Sequence, residues 1–441
     1  MNFFQTLRRH KFPMRKRLNL LIITLTAFLL SACFSAYPGL VLQPVLPGGE
    51  REIILVTPEA SALNAAAGSA DTDQVSQIQL EAAITSGSLE SESEPVHLKA
   101  SYWREIPQVP VLMYHRFNPQ PGGSSYAYTT SLADFEGHLN ALYDAGFSLV
   151  SLSDWLEGDI NLPKGKRPLI LTIDDLYYGD QISLDADGNP ASYSGIGLLW
   201  NFYQSHPDFN FQAALFFNLG DKLYANDYTN GSFSVQDGWR EDRARVIAWG
   251  IEHGAMPYNH FYHHPFLNTL TPSEIAYELA ENDHVLREDL ALLDKGYLAD
   301  SLSNIIALPY VVWPASNAGT QVLYDYVNPE GAPMMAIMEG DYADNSLFLT
   351  SPFSGDFDPF HVPRISVSWE AINKIIARID ELPKTKKCDL GDFPGATILT
   401  ADVISNAILM QYQAGQCSDG YYSVAGWAFI VKSGEISQIS Q

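Results

Sequence analysis

The chain is 441 residues long, 46% hydrophobic and 12% aromatic, with 26 basic residues against 51 acidic ones and a formal charge of −25. Charge of that sign argues against binding a polyanion and against electrostatic docking on anionic lipid, so nucleic acid is not an expected partner. The composition is that of a globular protein with a full core, as one large domain or two smaller ones, and a monomer is expected.

In chain order, Arg8, Arg9, Lys11, Arg15, Lys16 and Arg17 precede an apolar stretch, Leu18 to Leu30, that is short for a membrane span. It ends in Leu30-Ser31-Ala32-Cys33, which resembles the lipobox of bacterial lipoproteins. Residues 1–32 are then a signal peptide, and Cys33 is the first mature residue and carries the lipid. An ordinary secretory signal or an uncleaved anchor competes with this. All three put the body of the protein on the extracytoplasmic side of a membrane. Cleavage would leave about 409 residues and, by removing six basic and no acidic residues, move the charge from −25 to −31. Attachment must then come from the lipid. Residues 33–104 are rich in Ser, Ala and acidic residues without sustained periodicity and read as a solvated tether, with a weak strand signal at Glu52-Ile53-Ile54-Leu55-Val56.

Regular alternation begins at Val109 to His115, a short buried strand. Thr130 is the expected cap of a helix over Leu132 to Ala145, which carries Phe135, Leu139 and Leu142 at helical spacing and stops at Gly146. Strands follow at Phe147–Val150, Leu169–Ile173 and Ala213–Phe217, and helices at Ile196–Gln204, Glu241–His253 (closed by Gly254) and Ser273–Leu293. Such βαβ alternation favours an α/β barrel or open sheet with chemistry at the carboxyl ends of the strands. Two stretches have dull readings. Asp185-Ala186-Asp187-Gly188-Asn189-Pro190 starts like a calcium loop, but Pro190 and Ile196 stand where Gly and Glu are needed, so a hairpin turn is expected. Trp200, Phe202 and Tyr203 share helical spacing with Leu198 and Leu199 and read as core.

The chemistry-bearing residues are Asp174 and Asp175, closing the Leu169–Ile173 run, and His260 and His264 in Asn259-His260-Phe261-Tyr262-His263-His264-Pro265. One carboxylate and two imidazoles are the three protein ligands of an open catalytic metal site, which assigns Asp175, His260 and His264 to a divalent metal, zinc by default. That ion would acidify a water and polarise an acetamide carbonyl, leaving Asp174 to accept the water's proton. His115, an imidazole with an ordinary pKa of about 6.5, is the candidate general acid for the departing amine. Taken singly, the aspartates could be turn or cap residues, the histidines a polar patch, and His115 a structural hydrogen-bond partner. His263 is expected outside the ligand set.

With these residues in order, the stretch from Val109 to about Leu382 resembles a polysaccharide deacetylase of the NodB-homology type, carbohydrate esterase family 4. The resemblance rests on Pro110-Val111-Leu112-Met113-Tyr114-His115, the Phe135 to Gly146 helix, Leu162-Pro163-Lys164-Gly165-Lys166-Arg167-Pro168, Ala214-Leu215-Phe216-Phe217, the histidine motif and Leu308-Pro309-Tyr310. It implies a distorted (β/α) barrel, a catalytic domain over residues 105–382, an acetylated polysaccharide as substrate, and the backbone N–H of Tyr310 as a stabiliser of the oxyanion. The histidine motif of the N-terminal strand, without an obvious Leu-x-His near the C-terminus, is similar to the circularly permuted branch acting on poly-N-acetylglucosamine. Three departures matter. Leu176 replaces the usual Gly after the aspartate pair, 177–194 is an insertion that could roof the groove, and Ala307 stands where many relatives carry the arginine that orients the base, with nothing obvious replacing that charge. Competing functions are an O-acetyl esterase on cell-wall or plant glycans and a non-catalytic glycan-binding lipoprotein. Beyond the barrel, residues 383–441 form a C-terminal extension. There Cys388 and Cys417 favour a disulfide once export is granted, with two free buried thiols as the alternative.

Overall fold

The computed structural model describes residues 40–42, 53–55, 95–119, 128–220, 222–340, 349–394 and 398–439. Cys33 and the rest of the expected signal lie outside the described residues. The elements that position the site run β1 (Val96–Trp103), β2 (Val111–Tyr114), α1 (Leu132–Asp144), β3 (Phe147–Leu149), β4 (Arg167–Leu176), α2 (Gly195–Ser205), β5 (Ala213–Phe217), α3 (Trp239–His253), β6 (Ala255–Asn259), α4 (Pro272–Ala291), β7 (Ile305–Ala307), β8 (Ala336–Met338) and β9 (Ile365–Ser366). After them come β10 (Lys386–Phe393), α5 (Ala401–Gln413), β11 (Gly420–Val424), β12 (Trp427–Lys432) and β13 (Glu435–Gln438).

Strands β2 to β9 form one parallel sheet in the order β8-β7-β6-β5-β4-β2-β9, with β3 paired to the start of β4. The sheet curls because its two ends share one segment: Val362 bridges to Met338 of β8, and Ile365 and Ser366 pair with Leu112 and Met113 of β2. This is the expected distorted (β/α) barrel. Strand β5 and the Leu169–Leu171 run of β4 are wholly apolar because both their faces are covered, the inner by the barrel core and the outer by helices. Helix α1 is capped by Ser131, not Thr130: the Ser131 hydroxyl accepts from the Asp134 N–H at 3.0 Å, and Thr130 belongs to a short strand. Helix α4 opens on a reciprocal Thr271–Glu274 capping box, and α3 ends at Gly254, whose φ of 100° favours glycine.

A second sheet is antiparallel, in the order β10-β1-β11-β12-β13. Its strand β1 occupies the last residues of the segment that composition assigns to the tether, so the solvated reading fails for Val96–Trp103. Trp103 is fully buried and packs with Phe353, and Val109, Val111, Ile170 and Ala428 share the same core cluster. Cys388 and Cys417 are joined by a disulfide. The weak strand signal at 52–56 is a short strand, Ile53–Leu55, pairing with Leu40–Leu42 and with Ile398–Leu399. Asp185 closes a tight turn by accepting from the Asp187 and Asn189 N–H groups, as expected for a hairpin turn. Phe202 is buried, and Trp200 and Tyr203 pack partly buried against the core.

Candidate active site

Every functional candidate stands at a carboxyl end of the parallel sheet. His115 follows β2, Asp174 and Asp175 sit near the end of β4, His260 follows β6, and Tyr310 follows β7. The backbone there is unusual. Asp175, Phe261, His264, Tyr310 and Val311 all have φ between 52° and 64°. Non-glycine residues adopt this left-handed region at a cost, and such residues cluster at functional sites. Left-handed turns at Phe261 and His264 fold the histidine motif back on itself, which brings the His260 and His264 rings to 4.7 Å between centroids without a helix.

Asp175, His260 and His264 offer one ligand atom each, all within 4.8 Å of one another. Asp175 Oδ1 lies 3.3 Å from His264 Nε2 and 3.7 Å from His260 Nε2. Ligands about 2.0–2.1 Å from a tetrahedral ion are separated by about 3.3 Å, so the spacing fits such an ion with little adjustment. The tautomer fits too. His260 Nδ1 donates to the Ala307 carbonyl at 2.9 Å, since a carbonyl can only accept, and this leaves Nε2 with its lone pair toward Asp175. Burial holds the His260 imidazole down to about 4 and lowers His264 as well, so both rings are neutral at pH 7, the form that binds a metal.

Asp174 is buried beside the triad, its Oδ2 3.9 Å from His260 Nε2. The segment Ile305 to Tyr310 around Ala307 carries no charge in place of the missing arginine. The structure supplies one. Arg364, fully buried just before β9, grips both Asp174 oxygens, Nη1 to Oδ1 at 2.6 Å and Nη2 to Oδ2 at 2.8 Å, and donates from Nε to the Glu339 carbonyl. Burial alone would raise the Asp174 carboxyl, but the Arg364 guanidinium, with His260 and His115, outweighs it and holds the group at about 2. His115 stands at the neighbouring strand end, since Tyr114 just before it is in register with Ile173 just before Asp174.

Two further residues brace the site. Gln181, fully buried within the 177–194 insertion, donates to the carbonyls of both His115 and Asp174, at 2.9 and 2.7 Å. This part of the insertion is a brace between strand ends; Asp180 extends it by a bidentate pair with Arg116. Lys222 spends its ammonium on three neutral oxygens, the carbonyls of Asp175 and Leu176, at 2.7 Å each, and Asn218 Oδ1. Burial drives its pKa well down. Lys222 thus pins the backbone at the position where Leu176 replaces the expected glycine. His263 points away from the ligand atoms and bonds Glu278 through Nδ1.

No family model matches the chain, and no curated protein does. Among solved structures it is similar to the deacetylase PplD of Streptococcus pyogenes in complex with acetate, at 15% identity and a TM-score of 0.38, over 62% of this chain and 99% of that one. It is similar to BC0361, a polysaccharide deacetylase from Bacillus cereus, at 17% identity and 0.39, over 62% and 69%. It is also similar to IcaB from Ammonifex degensii, at 19% identity and 0.38, over 62% and 97%. Likeness at this level carries no functional argument, and function has to be derived from the site itself.

Proposed function

We propose that the protein is a metal-dependent deacetylase that removes acetyl groups from N-acetylated amino-sugar polymers, held by a lipid on Cys33 to the extracytoplasmic side of a membrane. One observation carries the reading: a three-ligand cluster of Asp175, His260 and His264 lies beside a separate, ionised carboxylate, Asp174. A structural ion pair would need no such division of labour. When bound, a divalent ion, zinc by default, acidifies a water and polarises the acyl carbonyl.

The chain's own groups supply the rest. His260 and His264 stay neutral and aim Nε2 at the shared position. Asp174, charged at neutral pH and fixed by Arg364, receives the attacking water's proton on a lone pair that Arg364 leaves free. The backbone N–H of Tyr310 stabilises the tetrahedral oxyanion. An amine leaves only when protonated, and His115, on the strand beside β4, delivers that proton. The Cys388–Cys417 disulfide supports an oxidising, extracytoplasmic location.

Acetate release from a panel of N-acetylated amino-sugar polymers and O-acetylated xylan, run beside metal analysis, tests the reading. Release from at least one N-acetylated polymer, abolished by a chelator, is the expected result. Release from O-acetyl esters alone would make the protein an esterase. A chain that binds no divalent metal and releases no acetate is a glycan-binding protein at most.

A further inference from the structure

Exposed aromatic rings stand against two of the site's imidazoles. Tyr128, 67% exposed, lies 4.8 Å from the His115 ring. Tyr310, 49% exposed, meets the His264 ring edge-on at 4.4 Å, and it stacks on Phe266, 50% exposed, at 3.9 Å with 8° between the planes. Rings of this size lose favourable burial by facing water. Tyr128 and Tyr310 are also held on left-handed backbone, at φ of 70° and 52°. Among the described residues, the other large apolar side chains that stand exposed, such as Leu223, Tyr277 and Met410, have ordinary negative φ. Strain and exposure therefore coincide at this site.

The topology separates the two aromatic groups. His115 follows β2, on one flank of β4, while His264 and Tyr310 follow β6 and β7, on the other. The aspartates of β4 lie between them. A pyranose with equatorial substituents offers a flat face of C–H bonds that packs on an aromatic face. A linear sugar polymer crossing the end of β4 would meet Tyr128 on one side of the reacting residue and the Phe266–Tyr310 stack on the other.

We propose that Tyr128 and the Phe266–Tyr310 pair are pyranose-stacking subsites on either side of the hydrolytic centre, so that the protein acts on an acetylated sugar inside a chain and engages a neighbour on each side. This rests on the deacetylase reading above for its reaction, but the stacking can be measured apart from it. The substrates are N-acetylglucosamine oligomers of one and five residues, β-1,4- and β-1,6-linked, together with 4-nitrophenyl acetate, which has no sugar to stack. The parent is expected to gain at least about tenfold in kcat/KM from monomer to pentamer. Phe266→Ala and Tyr128→Ala should each lose most of that gain through KM and keep the small-ester rate. Phe266→Leu, which retains bulk without an aromatic face, guards against a folding defect and should behave like Phe266→Ala. Pentamer kinetics unchanged in the variants, or equal loss on pentamer and ester, would overturn the subsites. Should the parent release no acetate, calorimetric titration with the pentamers decides separately. Binding by the parent that the variants lose upholds the subsites while the deacetylase reading falls, and no binding by the parent overturns them.

Discussion

Arg364 is the residue on which the chemistry of Asp174 depends. Replacing it with Met leaves a buried carboxylate without its partner, so unfolding free energy should fall by about 3–5 kcal/mol in urea titrations. With the guanidinium gone, the largest influence opposing burial is lost and the Asp174 carboxyl rises. The acid limb of the acetate-release profile should move to higher pH while bound metal persists, and an unmoved limb would remove Asp174 as the titrating base. Asp174→Asn should keep the metal and lose at least about 10²-fold in rate, whereas His260→Ala or His264→Ala should lose both metal and rate. Lys222→Met, which frees the Asp175 and Leu176 carbonyls, should weaken zinc binding by about 10- to 100-fold in a competition assay. For the metal-free protein, His260 and His138 are both held near 4 by burial, while unfolded imidazoles take up protons near 6.5. Between those values the unfolded chain binds more protons, so stability should be full above about pH 6.5 and fall toward pH 4, by up to about 3 kcal/mol for His260. Asp174 acts in a lower window, stabilising above about pH 4 and losing that effect toward pH 2. At this scale the sequence showed Asp174, Asp175, His260 and His264 because paired carboxylates and spaced imidazoles at strand ends form a pattern. It hid Arg364, whose partner lies 190 residues away, and it hid Gln181 and Lys222, which bind main-chain carbonyls that any sequence offers.

At the scale of elements, the apolar runs of β2, β4 and β5 were legible because both sheet faces are buried and no alternation has to be weighed. Boundaries moved by a few residues where adjacent residues could serve equally, as Thr130 and Ser131 could for the cap of α1. Strand β1 was missed for a different reason. Val96, Leu98, Ala100 and Tyr102 do alternate with more polar neighbours, but the Ser- and Glu-rich residues before them dominate any longer window. That strand changes what a minimal catalytic fragment requires. Trp103, Ala428 and Tyr421 pack into or against the barrel core, and the Lys166 and Thr385 main chains bond across its edge. A fragment of residues 105–382 should therefore melt well below one of residues 95–439, which scanning calorimetry would show. The disulfide closes a loop of 29 residues, and Cys388→Ala with Cys417→Ala should cost about 3–4 kcal/mol of stability while leaving zinc stoichiometry unchanged.

For the whole molecule, the barrel class followed from the alternation of strand and helix, whereas the second sheet did not, because β1 and its two partners are separated by the entire barrel. Attachment is tested at the same scale: Cys33→Ser should lose incorporation of a fatty-acid analogue and leave the membrane fraction, and equal label in the variant would remove the lipid anchor. The position of β1 also imposes an order in time. Its hydrogen-bonding partners on either side, β10 and β11, are made about 280 and 320 residues after it, so its two edges stay open through nearly the whole of synthesis while the barrel between them can already close. An open strand edge invites pairing with the wrong chain and attack by proteases. A chain that contains β1 but stops ahead of Gly420 keeps such an edge, and so each copy truncated there carries a mark that the finished protein hides.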